Sequence, residues 1–259
     1  MGKITEALKK AAQERLERLG RRPATATSYI VKKVEGSQID PHIVTYFEPK
    51  SPVAEQYRIL RTNIQSLNSK KPPKVITISS SIHNEGKTIT SINLAIAMAH
   101  DLNNKKILLI DSDLRRGRVA HYLGIKVEFG LSDLLTNGVA LEDTLLNIGI
   151  NNLVVMAAGK APHNPAELLG SSWMKDIVQA LRDKFDYIIL DSPPIIPLTD
   201  PGVIGAISDG VIMVVQAGRT QRGIVKHAED LLSQAQAKIL GYVLTNIEYH
   251  LPKYIYRYL

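Results

Sequence analysis

The sequence predicts an α/β fold, a mostly parallel sheet covered by helices on both faces. Three observations carry this. Short continuous runs of Val, Ile and Leu recur along the chain, as strands buried on both faces require. Amphipathic segments of helical period lie between those runs. A Gly86-Lys87-Thr88 run stands where the first apolar strand gives way to a helix.

Residues 2–19 carry Ile4, Leu8, Ala11, Ala12, Leu16 and Leu19 at helical spacing. Seven basic and three acidic residues through Arg22 make up the other face, and Gly20 is a stop signal. Residues 1–22 are therefore read as an amphipathic helix that packs on a partner or on its own domain. Its apolar stripe is thin and lacks aromatic residues, unlike most membrane-surface helices. Residues 23–50 hold scattered Pro, Ser, Thr and Gly and read as a linker with at most one short strand. At Ser51 the pattern changes. A capping serine, Pro52 at the first helical position and Glu55 in the first turn predict a helix through SPVAEQYRILRTNIQSLN. Strands are then expected at 75–78, 107–110, 153–156, 187–190, 211–215 and 239–244, and helices at 88–102, 172–184 and 223–235. Residues 51–246 form the main domain, and 247–259 a tyrosine-rich tail.

At 259 residues the chain suits one α/β domain with appendages. Hydrophobic residues at 44% and charged residues at 22% exclude global disorder. With no cysteine there is no disulfide, no thiolate zinc site and no cysteine nucleophile. No apolar run approaches the roughly 18–20 residues that cross a bilayer, and the N-terminus has no secretory h-region. The lack of cysteine fits a reducing compartment. The net charge of +7 suits anionic partners.

The first strand runs into Ser81-Ile-His-Asn-Glu-Gly86-Lys87-Thr88 and then a helix. Against the phosphate-loop pattern only the first glycine is missing, with Ser81 in its place. Backbone N–H groups of the loop, through Ser81, Asn84, Glu85 and Gly86, would face phosphates at the helix N-terminus. Lys87 would reach the β and γ oxygens, and the Thr88 hydroxyl would ligate Mg²⁺. This makes the domain a P-loop NTPase fold. Asn84 tolerates left-handed backbone, so the loop can form despite His83-Asn84.

Two further strands end in aspartate: ILLID111-Ser-Asp113-Leu-Arg115-Arg116 and YIILD191-Ser-Pro-Pro. Parallel strands share one C-terminal edge, where ligands bind. Asp111, Asp113 and Asp191 should therefore converge beside Lys87 and Thr88, and three carboxylates next to a triphosphate imply Mg²⁺.

These motifs together resemble the bacterial tyrosine kinases of exopolysaccharide and capsule synthesis, P-loop ATPases related to partition and division-site ATPases. The resemblance runs from about Ser51 to the C-terminus. Residues 79–88, ILLIDSDLRRG and YIILDSPP look like the family's three Walker motifs. Glu55-x-x-Arg58-x-x-Arg61 looks like its oligomerisation motif. The resemblance implies ATP and Mg²⁺, with Lys87, Asp111, Asp113 and Asp191 as catalytic residues and Thr88 with the three aspartates on the metal. It implies transfer in trans within a homo-oligomeric ring to the tail tyrosines Tyr249, Tyr254, Tyr256 and Tyr258. It also implies the cytoplasmic subtype, with a membrane-anchored chain-length regulator as activator, recruitment by it to the inner membrane face, and a tyrosine phosphatase. Other readings are a partition-like ATPase switch, or a nucleotide-binding scaffold without kinase activity. The switch ATPases carry a second lysine early in the loop, where this chain has Ser81-Ile-His-Asn. A nucleic-acid partner is not expected, because basic residues are dispersed and aromatics are only 5%. Tail residues 254–259 alternate like a strand, but 239–244 already completes the sheet and Pro252 interrupts. A mobile tail is the reading adopted.

Overall fold

A computed structural model of the chain describes residues 32–33, 38–68, 72–101, 103–136 and 138–247. The expected helix at 2–19 and the tail tyrosines 249, 254, 256 and 258 lie outside the described residues.

The described residues form one sheet of eight strands. In chain order these are β1 (Lys32–Lys33), β2 (Val75–Ser80), β3 (Ile107–Asp111), β4 (Leu146–Asn147), β5 (Leu153–Met156), β6 (Tyr187–Asp191), β7 (Gly210–Gln216) and β8 (Ile239–Thr245). Across the sheet the order is β1-β4-β5-β3-β6-β2-β7-β8. Every pairing is parallel except the antiparallel β4–β5 pair. Both faces are covered. Along β7, Ile212 and Val214 join the larger apolar cluster, while the alternate residues Val211 and Met213 pack with Ala228 and Leu232 of α10 (Arg222–Gln234) on the other side. This is why the strands read as unbroken apolar runs.

The central helix is α3 (Lys87–Ala99), which follows the phosphate loop. It is apolar nearly all round, and Ile92, Leu94, Ala95, Ile96 and Met98 are buried. A helix of that composition needs cover on both sides. The sheet supplies one side, and α1 (Val44–Phe47) with α2 (Pro52–Ser66) supplies the other. The start of α2 is as expected: the Ser51 hydroxyl accepts from the Ala54 amide at 3.1 Å, with Pro52 at the first position. Such a cap stabilises a helix by about 1 kcal/mol.

Three regions depart from the sequence reading. Part of the expected linker is built into the core: Ile39 and Ile43 are buried, and Thr45 bonds Asn93 through both its amide and its hydroxyl at 2.9 Å. The stretch between β3 and β5 holds three short helices, α4 (Val119–Tyr122), α5 (Leu131–Thr136) and α6 (Leu141–Thr144). Helices of four to six residues are too short to display a period. Between β5 and β7, α7 (Pro165–Leu169) and α9 (Asp200–Ile207) flank the expected α8 (Ser172–Arg182) and β6. The expected strand β8 closes one side of the sheet, and as an edge strand it leaves Tyr242 and Leu244 exposed.

Candidate active site

The site forms where β2, β3 and β6 end side by side. Residues 81–86 leave β2 and close onto the first turn of α3. Asn84 and Gly86 take left-handed backbone, with φ of 62° and 91°. At Gly86 a Cβ would meet Thr245 at ordinary contact distance, 3.5 Å from Cγ2, so dihedral rather than space calls for glycine there. Ser81, standing at the missing glycine, is buried with its hydroxyl lacking a hydrogen-bond partner.

Lys87, Thr88 and the three aspartates come together as expected. In the β3–β6 pairing Asp111 lies opposite Asp191. Asp191 Oδ2 accepts from the Thr88 hydroxyl at 2.8 Å, and Oδ1 from the Ser91 hydroxyl at 2.9 Å. Lys87 Nζ stands 3.7 Å from Asp113 Oδ2. Asp111 is bound differently, accepting from the amides of Val119 at 2.9 Å and Asp113 at 3.2 Å. Gly117 lies so close that a Cβ there would come within 2.8 Å of Asp111 Oδ2 and 2.5 Å of Ala158 Cβ. Burial first, then repulsion from Asp191, pushes the Asp111 carboxyl well above its usual value. Burial also raises Asp191, against the pull of Lys87 and the Thr88 and Ser91 hydroxyls.

Among the described residues no three His, Asp or Glu side chains form a group able to hold a metal unaided. Thr88, Asp111, Asp113 and Asp191 therefore do not make a closed cage, and the expected metal set needs other oxygens. The donor chemistry still fits a cation beside phosphates. Buried, mutually repelling carboxylates with hydroxyls at hand favour positive charge, and Mg²⁺ usually keeps several non-protein oxygens.

Several participants carried no sequence prediction. Ser91 is one turn beyond Lys87, a spacing read only as helix. Arg115 pairs with the fully buried Asp200 through two bonds, at 2.8 and 3.2 Å. Arg116, Arg118 and Tyr122 line a cavity of about 110 Å³ with His83, Asn84, Gly86, Lys87, Thr88 and Ile89. The basic run after Asp113 was the available signal. Glu85, expected to face phosphate through its backbone N–H, turns its carboxylate to the Ile82 and Gln216 amides and the Thr220 hydroxyl. Its backbone remains part of the loop.

Of the helix expected to mediate assembly, Glu55 and Arg58 pair on the exposed side, and Arg58 also donates to the Pro49 carbonyl. Arg61 instead turns inward and donates to the Ala97 carbonyl at 2.8 Å. The three charges do not share one free face.

Comparison with known proteins agrees with this geometry. The family model described as an AAA domain matches residues 73–238. The tyrosine-protein kinase YwqD of Bacillus subtilis (strain 168) is 34% identical over 214 residues, covering 83% of this chain and 90% of that relative. The crystal structure of the chimerical protein CapA2B2 superposes with a TM-score of 0.77 at 27% identity, covering 91% of this chain and 99% of the other. The kinase domain of the Escherichia coli tyrosine kinase ETK gives 0.73 at 25% identity, covering 92% and 96%. With a phosphate loop, two aspartate-ended strands in register and these relatives, the chain belongs to the bacterial tyrosine-protein kinases, a family of P-loop ATPases.

Proposed function

We propose that this chain transfers the γ-phosphoryl group of ATP, with Mg²⁺, to tyrosines on the tail of a neighbouring copy, and that this cycle governs polysaccharide synthesis and export. The observation that carries the reading is the convergence of Lys87, Thr88, Asp113 and Asp191 on one strand edge beside the phosphate loop. Phosphoryl transfer is mainly positioning and charge neutralisation, so this set suffices.

Lys87 binds phosphate oxygens and draws negative charge off the transferred group. Thr88 and Asp191 would hold Mg²⁺, which when bound would supply further charge neutralisation. Asp113 is the better candidate than Asp111 to receive the tyrosine proton. Its Oδ2 faces Lys87, whereas both Asp111 oxygens already accept backbone amides. Arg116 and Arg118 line the phosphate cavity and add positive charge to its wall.

The acceptors are Tyr254, Tyr256 and Tyr258, with Tyr249 nearest the folded domain. Each phosphate adds about −1.5 to −2 charges, which repel the carboxylates and release the tail. Copies meet through α2. Its exposed Val53 and Ile59, with Tyr46 and Phe47 of α1, add apolar surface to the Glu55–Arg58 pair. A ring of copies, a membrane-anchored activator, a phosphatase and a place at the inner membrane face complete the reading.

To test it, purified protein is incubated with ATP and Mg²⁺ and probed for phosphotyrosine. Wild type labels itself, and Lys87→Met does not. A Lys87→Met chain with an intact tail, mixed with active chain truncated after Asn246, becomes labelled. An unlabelled inactive chain, while wild type labels itself, refutes transfer between copies.

A further inference from the structure

Glu85 sits inside the phosphate loop and is 1% exposed. Its Oε2 accepts from the Ile82 amide at 2.8 Å, which closes the loop on itself. Its Oε1 accepts from the Gln216 amide at 3.1 Å and from the Thr220 hydroxyl at 2.5 Å. Gln216 ends β7 and Thr220 precedes α10, so one carboxylate joins the phosphate loop to the β7–α10 turn. A carboxylate this buried is costly unless its lone pairs are met, and these three donors meet them.

Arg219 makes the same connection, and the end of β8 adds a second hold on the loop. Arg219 Nη1 donates to the Asn84 carbonyl and to Gln216 Oε1, both at 2.9 Å. The Thr245 hydroxyl at the end of β8 donates to the Glu85 carbonyl at 2.8 Å. Asn84, whose carbonyl Arg219 holds, has left-handed backbone, which asparagine tolerates but does not by itself fix. The loop has no proline and lacks its usual first glycine, so its own sequence does little to fix this shape.

We propose that Glu85 is a positioning residue through which the turn at residues 216–220 sets the shape of the phosphate loop before nucleotide arrives. The inference rests on residues 81–88 being the phosphate site, and adds that the loop's order is borrowed from the turn that follows the neighbouring strand β7. Gly218 and Arg219 are exposed on that turn. Anything that displaces them releases the loop, and anything that holds them tightens it.

Thr220 separates this role from nucleotide contact. Thr220→Val keeps the side-chain shape and removes the hydroxyl donor, while Thr220→Ser restores it. In full-length protein without nucleotide, hydrogen exchange is followed at the Ile82 amide. Exchange is expected to be at least ten-fold faster in Thr220→Val and close to wild type in Thr220→Ser. The KM for ATP should rise about three- to ten-fold in Thr220→Val with kcat within two-fold, because binding must then order the loop. If Thr220→Val does not fold, Arg219→Ala carries the same measurements. Unchanged exchange at Ile82 in a folded variant overturns the proposal. A wild type that shows this exchange pattern but no tyrosine labelling would sink the kinase reading and leave the positioning role standing.

Discussion

The ends of β3 and β6 look alike in sequence and act differently in the fold. Each is an apolar run closing on Asp-Ser, and Asp111 and Asp191 sit opposite one another. Asp111 is held by two backbone amides, and Gly117 packs against it. Asp191 is held by two side-chain hydroxyls from the first turns of α3. Backbone amides cannot be exchanged for water or a ligand without opening the chain, whereas hydroxyls can rotate away. Asp111 is thus a brace for residues 112–119, and Asp191, in the function proposed above, the carboxylate that serves the reaction.

Single substitutions can break or sharpen this contrast. The largest effect is expected at the reactive end. Asp191→Ala should cut phosphotyrosine formation by about 100-fold or more, the scale for loss of a charged group in a phosphoryl site. Its urea midpoint should hold or rise, because a buried charge repelling Asp111 is gone. At the brace, Asp111→Ala leaves the Val119 and Asp113 amides unpaired and should lower stability by about 1–3 kcal/mol, read by urea unfolding. If Asp111→Ala is as stable as wild type, the brace is wrong.

Smaller effects refine the picture. Ser91→Ala removes one of the two hydroxyls on Asp191 and should change turnover by roughly three- to ten-fold, the kinetic equivalent of about 1 kcal/mol. Asp209, at the opposite edge of the sheet, offers a third kind of carboxylate. Burial pushes it up, but the paired Arg182 and the Val75 and Lys74 amides outweigh burial and hold it below its usual value. A group with a lowered folded-state pKa stabilises the fold above its unfolded value of roughly 3.9. That stability is lost as pH falls through the folded value. Arg182→Ala should therefore flatten the acid limb of a stability–pH curve, and an unchanged limb would count against the pairing.

Much of the site was legible because its residues lie at the ends of regular elements. Strand ends share an edge, so Asp111, Asp191 and Lys87 could be brought together without knowing any loop. What escaped notice depended on contacts between distant segments. Glu85 reads as a loop residue next to Gly86, and only the return of the chain at 216–220 shows where its carboxylate goes. Arg61 reads as part of a charged stripe, and only the packing of α2 on α3 turns it to Ala97. Ile39 and Ile43 sit in a polar stretch too short to show a period, yet both are in the core. The edge exposure of Tyr242 and Leu244 likewise depends on strand order, which an apolar run does not encode.

The pairing of Leu109 with Ile189 and of Ile110 with Leu190 carries the same registration one residue further, to Asp111 and Asp191. Side chains alternate faces along a strand, so a slip by one residue would put an isoleucine, a leucine or a serine where a carboxylate should be. The apolar residues of β3 and β6 thus work as a ruler for the chemistry at their tips. A substitution deep in these strands that let the pairing shift would silence the enzyme with every catalytic residue intact.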